Sequence, residues 1–175
     1  MVRFDMLRFG LDGVTVLDLT EASPSLRGWV GGVAHGRYAV LSPYANGNRT
    51  SNYRGRSQFG KMVAVDVNEF TSAGVRILDL AATPRQQIPY QPDPNLRGFI
   101  GGFPLGPHVY FTPHFNGVFF GKVVRVDMRG LESMATGGAS RNNYDGLQVL
   151  DLEEGASSDN AGFSGAFHSW DSSCL

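Results

Sequence analysis

Apolar residues in this chain recur at every second position in short runs, and almost nowhere at every third or fourth. In Val124–Met128, the side chains of Val124, Val126 and Met128 fall on one side of an extended backbone, with Arg125 and Asp127 on the other. That alternation marks a half-buried strand. GKMVAVDV (Gly60–Val67) and the opening VRFDM (Val2–Met6) are versions of the same line, and VTVLDL (Val14–Leu19), VRILDL (Val75–Leu80) and LQVLDL (Leu147–Leu152) form a second set. Gly and Pro punctuate the boundaries between runs. No stretch holds a helical period, and GLESMATGG is at most one turn. The pattern predicts an all-β chain.

The lines recur in register. Val2, Val63 and Val124 stand 61 residues apart each time, as do Lys61 and Lys122, and Asp18 and Asp79. A third set reads SLRGWVGGVAHG (Ser25–Gly36), NLRGFIGGFPLG (Asn95–Gly106) and a worn copy, DNAGFSGAF (Asp159–Phe167). Length changes are confined to Pro- and Gly-rich stretches, as expected of loops on a fixed framework. Each unit therefore holds four extended segments, and the chain divides into a partial unit 1–19, units 20–80 and 81–152, and a partial unit 153–175. Read in order, the segments run 3-4, 1-2-3-4, 1-2-3-4, 1, or eleven strands. Four strands per unit of this length is the pattern of a β-propeller blade. The expected fold is all-β, with β-propeller-like four-stranded blades: about two full units plus partial units at both ends. A threefold β-trefoil or β-prism is the rival. Gly31, Gly32, Gly101 and Gly102 suit the first strand of a blade, where backbones crowd together. The offset phase leads to the expectation that a further copy, or more chain, supplies the missing sheet.

Composition narrows the partners. The chain has 175 residues, 42% hydrophobic and 18% charged, with a formal net charge of −1. This is a single globular domain. Only Arg49, Arg54 and Arg56 crowd together, so no basic patch suits nucleic acid. No apolar run approaches the roughly 20 residues of a membrane span, and MVRFDMLRFG lacks a signal-peptide core. The single cysteine, Cys174, excludes an internal disulfide framework and a cysteine-based zinc site. Asn48-Arg49-Thr50 is a glycosylation sequon.

The lines LRGFIGGF, GKVVRVDM and GVRILDL resemble blades of the broad seven-bladed, YVTN-like propeller class. They are still more similar to uncharacterised tandem-repeat proteins of algae and other marine protists, in which GF-GGF and GK-VRVD lines recur. The resemblance covers nearly the whole chain and implies fold rather than activity, with no catalytic residue to carry over. WD and kelch signatures are absent, since the lone Trp170-Asp171 pair sits in the worn final unit.

The candidate chemistry is sparse. His108 and His114 lie six residues apart on one strand, about 20 Å, too far to share a metal. Asp5, Asp66 and Asp127, and Asp18, Asp79 and Asp151, recur in every unit, whereas a catalytic carboxylate is needed once. Their place at strand ends predicts Asx-type bonds to backbone N–H groups. Arg27 and Arg97 precede the Gly-aromatic pair, where the third unit has Ala161, and are expected to pair with Asp18 and Asp79. Trp29, Phe99 and Phe163 recur within strands and suit packing between blades. Ligand contact, if any, is assigned to Trp29, Phe99, Arg27 and Arg97, with no catalytic, cofactor or metal residues. The expected function is a non-enzymatic binding or scaffold protein, an accessory subunit of a larger assembly or a homo-oligomeric propeller. Its partners are other protein subunits or further copies of itself, met through loops at Ala45–Phe59, Ala81–Asn95 and Arg129–Gly146. A carbohydrate-binding propeller lectin is the alternative, and a propeller hydrolase comes third.

Overall fold

A computed structural model describes residues 1–49, 56–85, 91–132, 144–154 and 159–168. Thr50 of the sequon, Arg54, Trp170-Asp171 and Cys174 lie outside these, as do parts of all three loops expected to meet partners. The described chain is all-β with one short helix. Strands β3 (Trp29–His35), β4 (Tyr38–Pro43), β7 (Lys61–Asp66) and β8 (Val75–Asp79) form one antiparallel sheet in that order. A second sheet has the same order: β9 (Phe99–Leu105), β10 (His108–Pro113), β11 (Lys122–Asp127) and β12 (Leu147–Asp151). Before them, β1 (Val2–Phe4) and β2 (Val14–Val16) pair as a two-stranded ribbon. The ribbon thus holds the third and fourth places of a sheet. The described sheets stay separate and close no barrel, as a trefoil would require.

Two features depart from the predicted inventory. Strands β5 (Ala45–Arg49) and β6 (Arg56–Gln58) pair with each other, where only a loop is expected. The eleventh predicted strand does not form among the described residues of Asp159–Phe167. Its sequence supplies a reason. A Cβ on Gly32 would stand 2.6 Å from the Val40 carbonyl oxygen of the neighbouring strand, and Gly102 meets the Tyr110 carbonyl in the same way. The third line carries Ala166 at this place, where a methyl group would crowd a second strand laid as in the other two. A five-residue helix, α1 (Met128–Glu132), opens the loop that follows β11.

Glycine sets the entry to each first strand. Gly28, Gly98 and Gly162 have φ of 85°, 76° and 73°, a left-handed backbone that L side chains avoid. Gly28 accepts at its carbonyl from the amides of Tyr44 and Ala45, and Gly98 from those of His114 and Phe115. The first strands of the two sheets then meet directly: a Cβ on Gly31 would lie 3.1 Å from Cα of Gly101.

Side-chain alternation stacks the three pieces. In β7 and β8, Val63, Val65, Val75 and Ile77 face the ribbon side and pack with Leu17, Leu19, Leu26, Phe59 and Phe70. The opposite face, with Tyr38, Val40, Met62, Ala64 and Leu78, packs against Val109, Phe111, Val124, Val126, Leu147 and Val149 of the second sheet. Phe99 is at the centre of that core, with ring centroids 6.1 Å from Phe111 and 5.4 Å from Phe120.

Candidate interaction surface

All six repeated aspartates have the same occupation. Asp5 accepts from Leu7 N–H at 2.9 Å, Asp66 from Asn68 at 2.9 Å and Asp127 from Arg129 at 3.0 Å. Asp18 accepts from Thr20 at 2.9 Å, Asp79 from Ala81 at 3.1 Å and Asp151 from Glu153 at 3.1 Å. Each is a carboxylate bonded to the amide two residues on, the Asx turn expected at a strand end. Two of them are held below the ordinary carboxylate range. For Asp127 the main cause is the Arg129 side chain, whose Nε and Nη2 donate at 3.0 and 2.6 Å. For Asp18 it is the Thr20 hydroxyl at 2.6 Å, then the Thr20 amide.

The expected pairs of Arg27 with Asp18 and Arg97 with Asp79 are not formed as ion pairs among the described residues. Each aspartate turns back to its own following amides, which are already at hydrogen-bond distance, and both arginines lie at the surface. Arg27 contributes only a weak attraction to Asp18. The charge network that does form is one the sequence reading missed. Lys122 Nζ donates to Asp93 at 2.7 Å and lies 3.9 Å from Asp151, while Arg85 lies 3.9 Å from Asp93. Burial pushes the Asp93 carboxyl up, but the Lys122 and Asn95 hydrogen bonds and the Lys122 and Arg85 charges outweigh it and hold it low. Asp93 occupies the place of Ser23, and Lys122 that of Lys61, which donates to Ser25 at 2.9 Å.

The two predicted stacking rings are differently placed. Phe99 is fully buried and presents no ring face to a ligand. Trp29 is half-buried, packs edge-on against Phe59 at 5.9 Å, and donates its indole N–H to the Lys61 carbonyl at 3.1 Å. Both rings thus take part in packing within the fold, while Arg27 and Arg97 lie at the surface. His114 Nδ1 is 2.9 Å from the Phe163 carbonyl, and among the described residues no group of three His, Cys, Asp or Glu could hold a metal. No described helix is long and apolar enough to cross a membrane.

What stands out is an uncovered apolar face. Register pairs Val2 with Val16 and Phe4 with Val14 on one side of the ribbon, and Arg3 with Thr15 on the other. Arg3 reaches back to the first sheet, donating to the Val67 carbonyl at 2.7 Å with its guanidinium 4.7 Å from the Phe70 ring centroid. The Val2, Phe4, Val14 and Val16 side is exposed. Contiguous bare apolar surface of this kind marks interaction sites.

At the other end, the outer face of the second sheet is mixed: Leu150 is exposed, Phe103, Tyr110, Val123 and Arg125 are half-buried, and the His168 ring lies 5.9 Å from that of Phe103. Phe103 stacks on Tyr110 with centroids 4.9 Å apart and planes 5° from parallel. Arg125 donates to Gln148 Oε1 at 2.7 Å and to the Tyr110 hydroxyl at 3.4 Å. Burial, then the Arg125 charge, holds His108 below the ordinary histidine value. Comparison with protein-family models, with curated proteins and with solved structures finds no match to this chain.

Proposed function

We propose that this chain is a non-enzymatic binding or scaffold module of β-propeller type, whose sheets act as blades and whose working surfaces are the two outer faces of the stack. It serves as a subunit of a larger assembly, with other protein subunits or further copies as partners. The observation that carries the reading is the bare ribbon face. Val2, Phe4, Val14 and Val16 are the positional equivalents of Val63, Val65, Val75 and Ile77, which are all covered in the first sheet. A face built of core residues and left open is a docking surface for protein. The role of the repeated carboxylates in turns also favours a structural reading of the acidic residues over a hydrolytic one. The carbohydrate alternative has less support, because Phe99 is buried and the indole N–H of Trp29 is already bonded within the fold.

A photo-crosslinking amino acid at position 4, introduced into the chain in its native cells, tests this. Covalent adducts to protein are expected on irradiation. Irradiation that yields no protein adduct at position 4, with adducts formed at a control loop position, would sink the reading.

A further inference from the structure

The chain contains the same sheet-to-sheet junction twice and carries an unused half of it at each end. In the first junction the ribbon offers Leu17 to the first sheet, which answers with Val63, Val65, Val75 and Ile77. In the second, the first sheet offers Leu78, and the second sheet answers with Val124, Val126, Leu147 and Val149. Leu17, Leu78 and Leu150 are one position in the three recurring lines, as are Val16, Ile77 and Val149. Their burial follows the stacking. Leu17 and Leu78 are 5% and 0% exposed, yet Leu150 is 62% exposed; Ile77 and Val149 are 5% and 7% exposed, yet Val16 is 70%. So Leu150 is exposed on the offering side of the last sheet, where Phe103, Tyr110, Val123 and Arg125 are half-buried, and the answering side is bare on the ribbon.

We infer that the ribbon face of one copy seats on the open face of the second sheet of another copy, head to tail, by the junction used inside the chain. This rests on the scaffold reading above and names its partner as a second copy. Two further observations favour that occupant. The chain leaving the second sheet is already laid as the start of a next sheet: Gly162 N–H donates to the Phe120 carbonyl at 3.2 Å, as Gly98 N–H does to Phe59 at 3.4 Å. The ribbon holds the third and fourth places of such a sheet, so line and ribbon would occupy places one, three and four, with the second place between them. The receiving face also carries a guanidinium where the first junction accommodates one: Arg3 of the ribbon, at the place of Arg125, donates to the Val67 carbonyl and lies over the Phe70 ring. Arg125 stands where the first sheet has Ala64, but its guanidinium is bonded to Gln148 and Tyr110. A head-to-tail contact is heterologous, so two copies close a ring only if the rotation allows it, and otherwise form a row.

The test uses the full chain and light scattering on a sizing column. The unmodified protein is expected at a multiple of the 19.0 kDa chain mass. Phe4→Glu and Leu150→Glu place a charge on the two opposite outer faces, and each alone is expected to run as a single chain. Val16→Glu repeats the ribbon test should Phe4→Glu unfold, with thermal unfolding as the control. Mixed in equal amounts, the Phe4 and Leu150 variants are expected to recover a particle of twice the chain mass, because one intact junction remains between them. The inference is overturned if the unmodified chain is a single copy. It is also overturned if Leu150→Glu keeps the full mass, which means ribbon pairs with ribbon, or if the mixture stays at single-chain mass. A single copy that still crosslinks to other proteins in cells overturns this inference and leaves the scaffold reading standing.

Discussion

At the scale of residues, the six aspartates show how repetition separates structure from chemistry. Each bonds the amide two positions on, yet their surroundings differ. Asp66 is almost completely buried and also meets Arg37 at 3.0 Å, whereas Asp5 lies in the open ribbon turn. Asp66→Ala removes a buried carboxylate that accepts from the Asn68 amide and pairs with Arg37, so a loss of about 1.5–3 kcal/mol is expected in urea unfolding. Asp5→Ala should cost less than about 1 kcal/mol. Arg97→Ala, at the surface and in no ion pair among the described residues, should change stability by no more than about 0.5 kcal/mol. The Asx turns were legible from the sequence because strand ends are. The absence of the arginine pairs was not, since spacing cannot say whether a carboxylate prefers its own backbone to a distant cation. Asp93 escaped notice because it occurs once.

The Asp93 network also carries a pH dependence. Its folded pKa is depressed, so the stabilisation is fully present above the unfolded value of about 3.9 and fades as pH falls through the folded value. The urea midpoint of the unmodified chain should therefore drop below about pH 4, and the gap to Asp93→Asn, present at pH 7, should narrow there. A gap that persists unchanged to low pH would remove the network from the account. Tyr144 behaves oppositely. Burial pushes its phenol up, with the Asp127 charge adding to the shift while the bond to the Asp127 carbonyl works against it. Stability tied to that group is present below the unfolded tyrosine value of about 10 and is lost at more alkaline pH.

At the scale of elements, the ten strands of the two sheets and the ribbon were readable because apolar and polar residues alternate along them. The β5–β6 pair was not. Ala45–Arg49 and Arg56–Gln58 are dominated by polar residues with no alternating apolar face, so their sequence gives no sign of extension. The eleventh strand's line was recognisable, but among the described residues it has no neighbouring strand to pair with, and Ala166 stands where a carbonyl approaches Gly32 and Gly102. Glycine geometry makes this scale testable. Gly98 has φ of 76° and sits against the Phe115 carbonyl, while Gly36 has φ of 55° with nothing within 4 Å of an added Cβ. Gly36→Ala should cost about 1 kcal/mol, the conformational term alone. Gly98→Ala adds a steric clash in a packed region and should cost about 3 kcal/mol or more. Equal losses in chemical unfolding would mean the close approach at Gly98 is absent.

At the scale of the molecule, a ribbon and two sheets are stacked by one junction used twice. Sequence periodicity located the members of that junction, since Leu17, Leu78 and Leu150 sit at matching places. It could not say which would be covered, because alternation marks a side of a strand as apolar without naming what lies against it. Only the stacking order distinguishes the bare Val16 from the buried Ile77. The central claim is that the two outer faces belong to each other. Hydrogen–deuterium exchange of the unmodified chain at low and high protein concentration tests it most directly. The amides of Val2–Phe4, Val14–Val16 and Leu147–Asp151 are expected to gain protection together as concentration rises, while those of β7, buried within one copy, stay unchanged. Exchange at both faces that is the same at every concentration would contradict it.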